Sequence, residues 1–161
     1  MKHITNSQLL ALKFLKNNKY ILDMHKYRQH GKTDTYQHSC NVAVIALKIA
    51  MFFNIKDDKI MNIIKGSMLH DFYLYDYHGH RNTSEGFHAF VHSKIALRNA
   101  QKYFSINKRQ QNIIISHMFP ATIFYVPKYI ESWIVNISDK YCTIREVLHH
   151  CIYKKQWEAV L

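Results

Sequence analysis

The chain of 161 residues is of single-domain size, and its 48% hydrophobic and 14% aromatic content excludes a disordered polymer. With 4 glycines and 2 prolines it lacks the turn residues of a sandwich or barrel, so composition points to an all-α domain. Lys and Arg number 22 against 11 Asp and Glu, a formal charge of +11 spread along the chain; such a surface attracts phosphorylated small molecules, nucleic acid or an acidic membrane alike.

In chain order, Leu9, Leu12, Leu15, Ile21 and Leu22 predict helix from about Ser7 to Tyr27, with Asn17-Asn18 as a break. The polar run His30-Gly31-Lys32-Thr33-Asp34 reads as a loop ending in a helix cap. A helix follows from about Thr35 to Phe53, with Val42, Ile45, Ile49 and Phe53 as its inward stripe and His38 on the same stripe. The next starts at the cap pair Asp57-Asp58, buries Ile60, Ile63, Ile64 and Ser67, and ends its inward face in His70-Asp71.

Residues 73–87 form a long aromatic, histidine-bearing loop suited to a lid or a substrate contact. Helices are then expected from about Ala89 to Phe104, placing His92 with Ile95, Ala96, Asn99, Ala100 and Tyr103, and from the cap Asn107 to His117 behind Ile113 and Ile114. Pro127 serves as first-turn proline for a last long helix to about His150. The stretch Trp133–Ile137 is apolar nearly all round, as in a central buried helix, and Asp139 lies opposite the Ile130, Ile134, Ile137, Tyr141 stripe.

The three cysteines, Cys40, Cys142 and Cys151, have no CxxC spacing and read as reduced thiols. With no signal-like N-terminus and no apolar run long enough to span a bilayer, the expectation is a soluble cytoplasmic protein without a membrane partner.

Four histidines, His38, His70, His92 and His117, thus fall on apolar faces of four helices, with Asp71 and Asp139 in equally buried settings. A single histidine so placed is more often a hydrogen-bonded core residue than a ligand. Six such groups in succession are a different matter, because buried charge is costly unless paired or bound to metal. Imidazole with carboxylate suits zinc, manganese, iron or cobalt.

In this order of residues the sequence resembles the HD-domain superfamily of metal-dependent phosphohydrolases. His38, then His70-Asp71 in SMLHDF, then Asp139 in NISDKY follow the family's pattern, and His92 and His117 fall where its dinuclear branches add two histidines. The resemblance spans about residues 27–145, looks closest to small bacterial HD proteins, and implies a single HD-type bundle of six to seven helices over residues 1–161. It implies one or two divalent transition ions (Fe, Mn, Zn, Co or Ni). His38, His70, Asp71 and Asp139 would hold one, and Asp71 would bridge to a second on His92 and His117. The substrate it implies is a small phosphate ester or anhydride, with a nucleotide or dinucleotide foremost, cleaved by an activated water; nucleic acid is not favoured. His88, one turn before His92, is the first candidate for leaving-group protonation, with His78 second; together with Asp71 it completes the expected catalytic pair. Tyr73, Tyr75, Tyr77 and Phe87 could stack on a base but more often such aromatics fill packing gaps. His25 and His30 read as exposed.

The sequence departs from the pattern where many relatives carry Lys or Arg three residues after His-Asp, since that position is Leu74. The phosphate-binding charge is therefore assigned to Arg81, Lys94 or Arg98. The GYP signature of the cyclic-di-GMP branch is missing. Alternatives are a di-iron oxygenase on the same six ligands, a metal-binding regulatory module without catalysis, and a basic DNA-binding helical domain.

Overall fold

A computed structural model describes residues 5–30, 32–78 and 82–148. Arg81, the first of the three proposed substrate cations, and the predicted last turn at His149-His150 lie outside the described residues. The described chain is all-α: helices α1 (Asn6–Lys16), α2 (Lys19–Leu22), α3 (Thr35–Phe52), α4 (Asp57–Leu69), α5 (His88–Tyr103), α6 (Lys108–Ser116) and α7 (Ile130–Leu148), with a 3-10 turn at Asp23–Lys26.

Local chemistry sets several of these boundaries. Reciprocal capping boxes, Thr5 with Gln8, Asp34 with Gln37 and Asn107 with Gln110, open α1, α3 and α6 by satisfying amides that have no helical partner. The Asn17-Asn18 break is present, and Asn18 caps α2 through Tyr20 N. Asp57 and Asp58 are not caps. Lys56 holds that position without a side-chain bond, and the two carboxylates occupy the first turn of α4, where the helix dipole favours negative charge.

The central helix is α3, and this corrects the expected stripe. Its buried set runs nearly all round the helix, whereas Phe53 is 66% exposed and Ile45 and Ile49 are half-buried. Small residues (Ser39, Cys40, Ala43, Ala46 and Ala50) let α4 and α7 close on it from both sides. Central burial was expected of α7 instead, and there the structure differs. Ile130, Trp133, Ile137 and Tyr141 are all exposed by more than a third, and only Ile134 of the predicted stripe is buried. The face of α7 that goes inward carries Val135, Asn136, Asp139, Cys142 and Glu146. Polar groups there outbid the apolar stripe because the interior they meet is itself polar. Pro127 precedes α7 by three residues and is not in its first turn.

α4 buries Ile60, Ile63, Ile64 and Ser67 as its spacing predicts. It approaches α6 so closely at Gly66 that a Cβ there would lie 2.6 Å from Ile113 Cδ1. Within 73–87, Asn82–Thr83 and Gly86–Phe87 pair as a two-residue antiparallel ladder, with Gly86 at φ +126, a conformation open to glycine. Tyr73 is fully buried in the core, and Tyr75 and Tyr77 pack half-buried against it. Asn99 on α5 donates to the carbonyls of both Phe72 and Tyr73 at 3.0 Å, fixing the chain as it leaves His70-Asp71.

Candidate metal centre

Two of the four histidines end helices. His70 is the C-cap of α4 and His117 the C-cap of α6. Each donates Nδ1–H to a carbonyl of its own last turn, Ser67 O and Ile114 O, both at 2.7 Å. His92, in α5, does the same to His88 O at 2.9 Å. A ring whose Nδ1 holds the proton presents a bare Nε2, so these local bonds fix tautomer and aim together.

The aims converge. His38 Nε2 lies 3.0 Å from Asp139 Oδ1 and 3.4 Å from His70 Nε2. His70 Nε2 is 3.6 Å from Asp139 Oδ1 and 3.5 Å from Asp71 Oδ2. On the other side, His92 Nε2 and His117 Nε2 stand 2.9 Å apart, at 3.4 and 3.3 Å from Asp71 Oδ1. Asp71 thus faces one pair of histidines with each carboxylate oxygen. Buried ligand atoms of His38, His70 and Asp71 form one group able to hold a cation, and those of Asp71, His92 and His117 a second. All six residues expected to meet do meet.

The donor chemistry fits a cation. Asp71 Oδ1 is buried with no hydrogen-bond donor. Burial lowers His92 to about 3, so its ring is neutral. His92 and His117, each donating its Nδ1–H to a main-chain carbonyl, turn their Nε2 atoms towards each other at 2.9 Å, so that both can serve one cation beside Asp71 Oδ1. At His38 burial opposes the charged ring, but hydrogen bonds with Asp139 and Glu146 outweigh it and raise the pKa well above the ordinary value. A proton and a divalent cation therefore compete for that Nε2. Burial also opposes ionisation of Asp71 and Asp139; the surrounding histidines prevail and hold both carboxyls well below the usual range.

Further groups complete the site, and sequence reading did not single them out as functional. Gln29 Nε2 donates to Asp71 Oδ2 at 2.6 Å while its Oε1 accepts from the Tyr73 hydroxyl. Glu146 Oε2 accepts from His38 Nδ1 at 2.8 Å. His30, expected in solvent, is half-buried, edge-on to His38, and lines a cavity of about 620 Å³. Glu146 could have been noticed two helical turns after Asp139; Gln29 sits in a loop that offers no periodicity.

The cavity opens onto Asp71, His92, His117 and Asp139, with Tyr77 and His88 on its wall. His88 stacks on Tyr77 (3.8 Å, 9°) and on His92 (4.7 Å), and its Nδ1 lies 2.7 Å from the Tyr75 hydroxyl. Burial lowers His88 to about 4. Of the three cations assigned to substrate, Lys94 and Arg98 do not line the cavity. Lys94 is exposed over the Tyr125 ring, and Arg98 is exposed and paired with Glu85 (Nη1 to Oε2, 2.7 Å). Lys140, not picked out from the sequence, does line the cavity, half-buried with Nζ donating to His117 O at 2.8 Å. His78 is exposed beside Asp76 and does not line the cavity.

The fold and site define an all-α domain whose helices bring four imidazoles and two carboxylates together in groups able to hold a metal ion. The family model of the HD domain matches residues 35–144, well over half of the chain, and the protein belongs to the HD domain family, whose members are generally metal-dependent phosphohydrolases. No curated protein and no solved structure matches the chain.

Proposed function

We propose that this protein is a metal-dependent phosphohydrolase of small phosphorylated substrates, a nucleotide foremost, working in the cytoplasm. The observation that carries the reading is the split of the Asp71 carboxylate between two histidine pairs. His38, His70, Asp139 and Asp71 Oδ2 would hold one divalent transition ion, and His92, His117 and Asp71 Oδ1 a second, with Fe, Mn, Zn, Co and Ni all suited to such donors. Bound cations of this kind act as Lewis acids on a phosphoryl oxygen and ready a water for attack at neutral pH.

The chain's own residues supply the rest. Lys140 offers its charge to the phosphoryl group from the cavity wall, replacing the cation absent at Leu74. His88 is neutral at pH 7, so it does not serve as an imidazolium acid. In the tautomer whose Nδ1 accepts from the Tyr75 hydroxyl, its ring proton stands on Nε2, available as a hydrogen-bond donor to the leaving group. Apolar Met118, Pro120, Ala121 and Ile144 line the same cavity as the Tyr77–His88 stack, surface suited to the base of a nucleotide. No helix among the described residues is long and apolar enough to cross a membrane.

The test is a panel of nucleotides and phosphate esters with metal-free protein reloaded with each of the five ions, followed by phosphate release. The reading expects turnover that chelation abolishes and metal restores. Dioxygen uptake with iron(II) and no phosphate release from any substrate would overturn it.

A further inference from the structure

Three of the four histidines hold their tautomer through a main-chain carbonyl of their own helix; His38 holds it through a side chain, Glu146. Glu146 is 3% exposed and receives Asn41 Nδ2 on Oε1 at 2.8 Å and His38 Nδ1 on Oε2 at 2.8 Å, with Thr33 Oγ1 at 3.1 Å from the latter oxygen. Among the described residues it makes an ion pair with no lysine or arginine. A carboxylate buried in this way needs a compensating positive charge. A cation held on His38 Nε2, across the ring from Glu146, would provide it.

We propose that Glu146 is a positioning residue that locks His38 with its proton on Nδ1 and, through its charge, makes the His38–His70–Asp139 side the tighter of two cation positions. The proposal rests on the metal-dependent reading above. The opposite side has one carboxylate oxygen, Asp71 Oδ1, and only backbone carbonyls behind its two rings. Three carboxylates therefore surround one position and one serves the other. An imidazole backed by a carboxylate is also the more basic ligand, and loss of such a partner typically weakens metal binding by about 10–100-fold.

Manganese(II) titrated into metal-free full-length protein, followed by calorimetry, reads the affinities of wild type, Glu146→Gln, Glu146→Asp and His117→Ala. Two classes of site are expected in the wild type. Glu146→Gln should weaken the tighter class by about 10–100-fold and leave the weaker one in place. Glu146→Asp should recover most of the loss, and His117→Ala should remove the weaker class alone. In zinc-loaded wild type the His38 Nδ1 proton should resonate far downfield in the NMR spectrum, a signature of its carboxylate partner that a merely structural Glu146 would not give. Unchanged manganese affinity in a folded Glu146→Gln variant overturns the proposal, as does the absence of that resonance should the variant not fold. A wild type that takes up no cation contradicts the functional reading itself, a different result from an unaffected variant.

Discussion

Gln29 Nε2 donates to Asp71 Oδ2 over 2.6 Å, and this bond orients the carboxylate on which the whole site turns. With Oδ2 held between Gln29 and the His38–His70 pair, Oδ1 is left facing His92 and His117 without a donor of its own. The amide is itself anchored, because its Oε1 accepts from Tyr73 and its main-chain oxygen accepts from the Tyr77 hydroxyl at 2.8 Å. The loop before α3 and the aromatic segment after α4 are thereby tied to one side chain.

Removal of that anchor has a directional effect. Gln29→Ala should free the Asp71 carboxylate to rotate and leave the buried Tyr73 hydroxyl with Thr35 Oγ1 in place of its Gln29 acceptor, at a cost of about 1 kcal/mol in stability. Turnover should fall at least roughly tenfold with KM little changed, since the loss is one of catalytic geometry. Steady-state kinetics beside a thermal melt read both.

The cation on the cavity wall separates two assignments of substrate binding. Lys140→Met should raise KM for a phosphorylated substrate by about tenfold, the order expected for a charge-assisted hydrogen bond. Lys94→Ala and Arg98→Ala should leave KM within about twofold, because exposed and solvent-screened cations contribute little. Initial-rate measurements on the three variants settle the order.

Acid should weaken the metal-free fold. His88 and His92 are lowered by burial to about 4 and about 3, whereas in the unfolded chain they titrate near the ordinary 6.5. Between pH 6.5 and about 4 these two rings bind more protons in the unfolded state, so their share of the stability is full above pH 6.5 and declines as pH falls through that window. His38 and His70, both raised, are protonated in both states there and add little slope. Thermal midpoints measured in chelator from pH 6.5 to 5 should fall, and His88→Asn should flatten the decline.

The close approach of α4 to α6 can be tested by one methyl group. Gly66→Ala would drive its Cβ to within 2.6 Å of Ile113 Cδ1, and overpacking of this kind costs about 1–3 kcal/mol. A lowered melting temperature, partly recovered by Ile113→Val, is the expected result.

Much of this arrangement could be read from spacing. Histidines at helix ends behind isoleucines, as in α4 and α6, give an unambiguous inward direction, and capping residues such as Asp34 and Asn107 mark helix starts. The misjudged helix faces have one physical source. Apolar periodicity assumes an apolar interior, and beside a polar centre the rule inverts. α7 turns Asn136, Asp139 and Glu146 inward and leaves Ile137 and Tyr141 exposed, while alanine-rich α3 buries far more than its Val42–Phe53 stripe and becomes the central helix. Gln29 and Lys140 were illegible for another reason. Their roles depend on which loop or helix passes over the cavity, a tertiary fact with no local signature.

Metal content per chain tests the central claim most directly. Protein purified without chelator and reloaded with manganese should carry close to two ions per chain by elemental analysis, and Asp71→Ala, folded by circular dichroism, should carry close to none and show no phosphate release. An Asp71→Ala protein that retained both ions or turned over substrate would contradict the assignment of that carboxylate as the bridge.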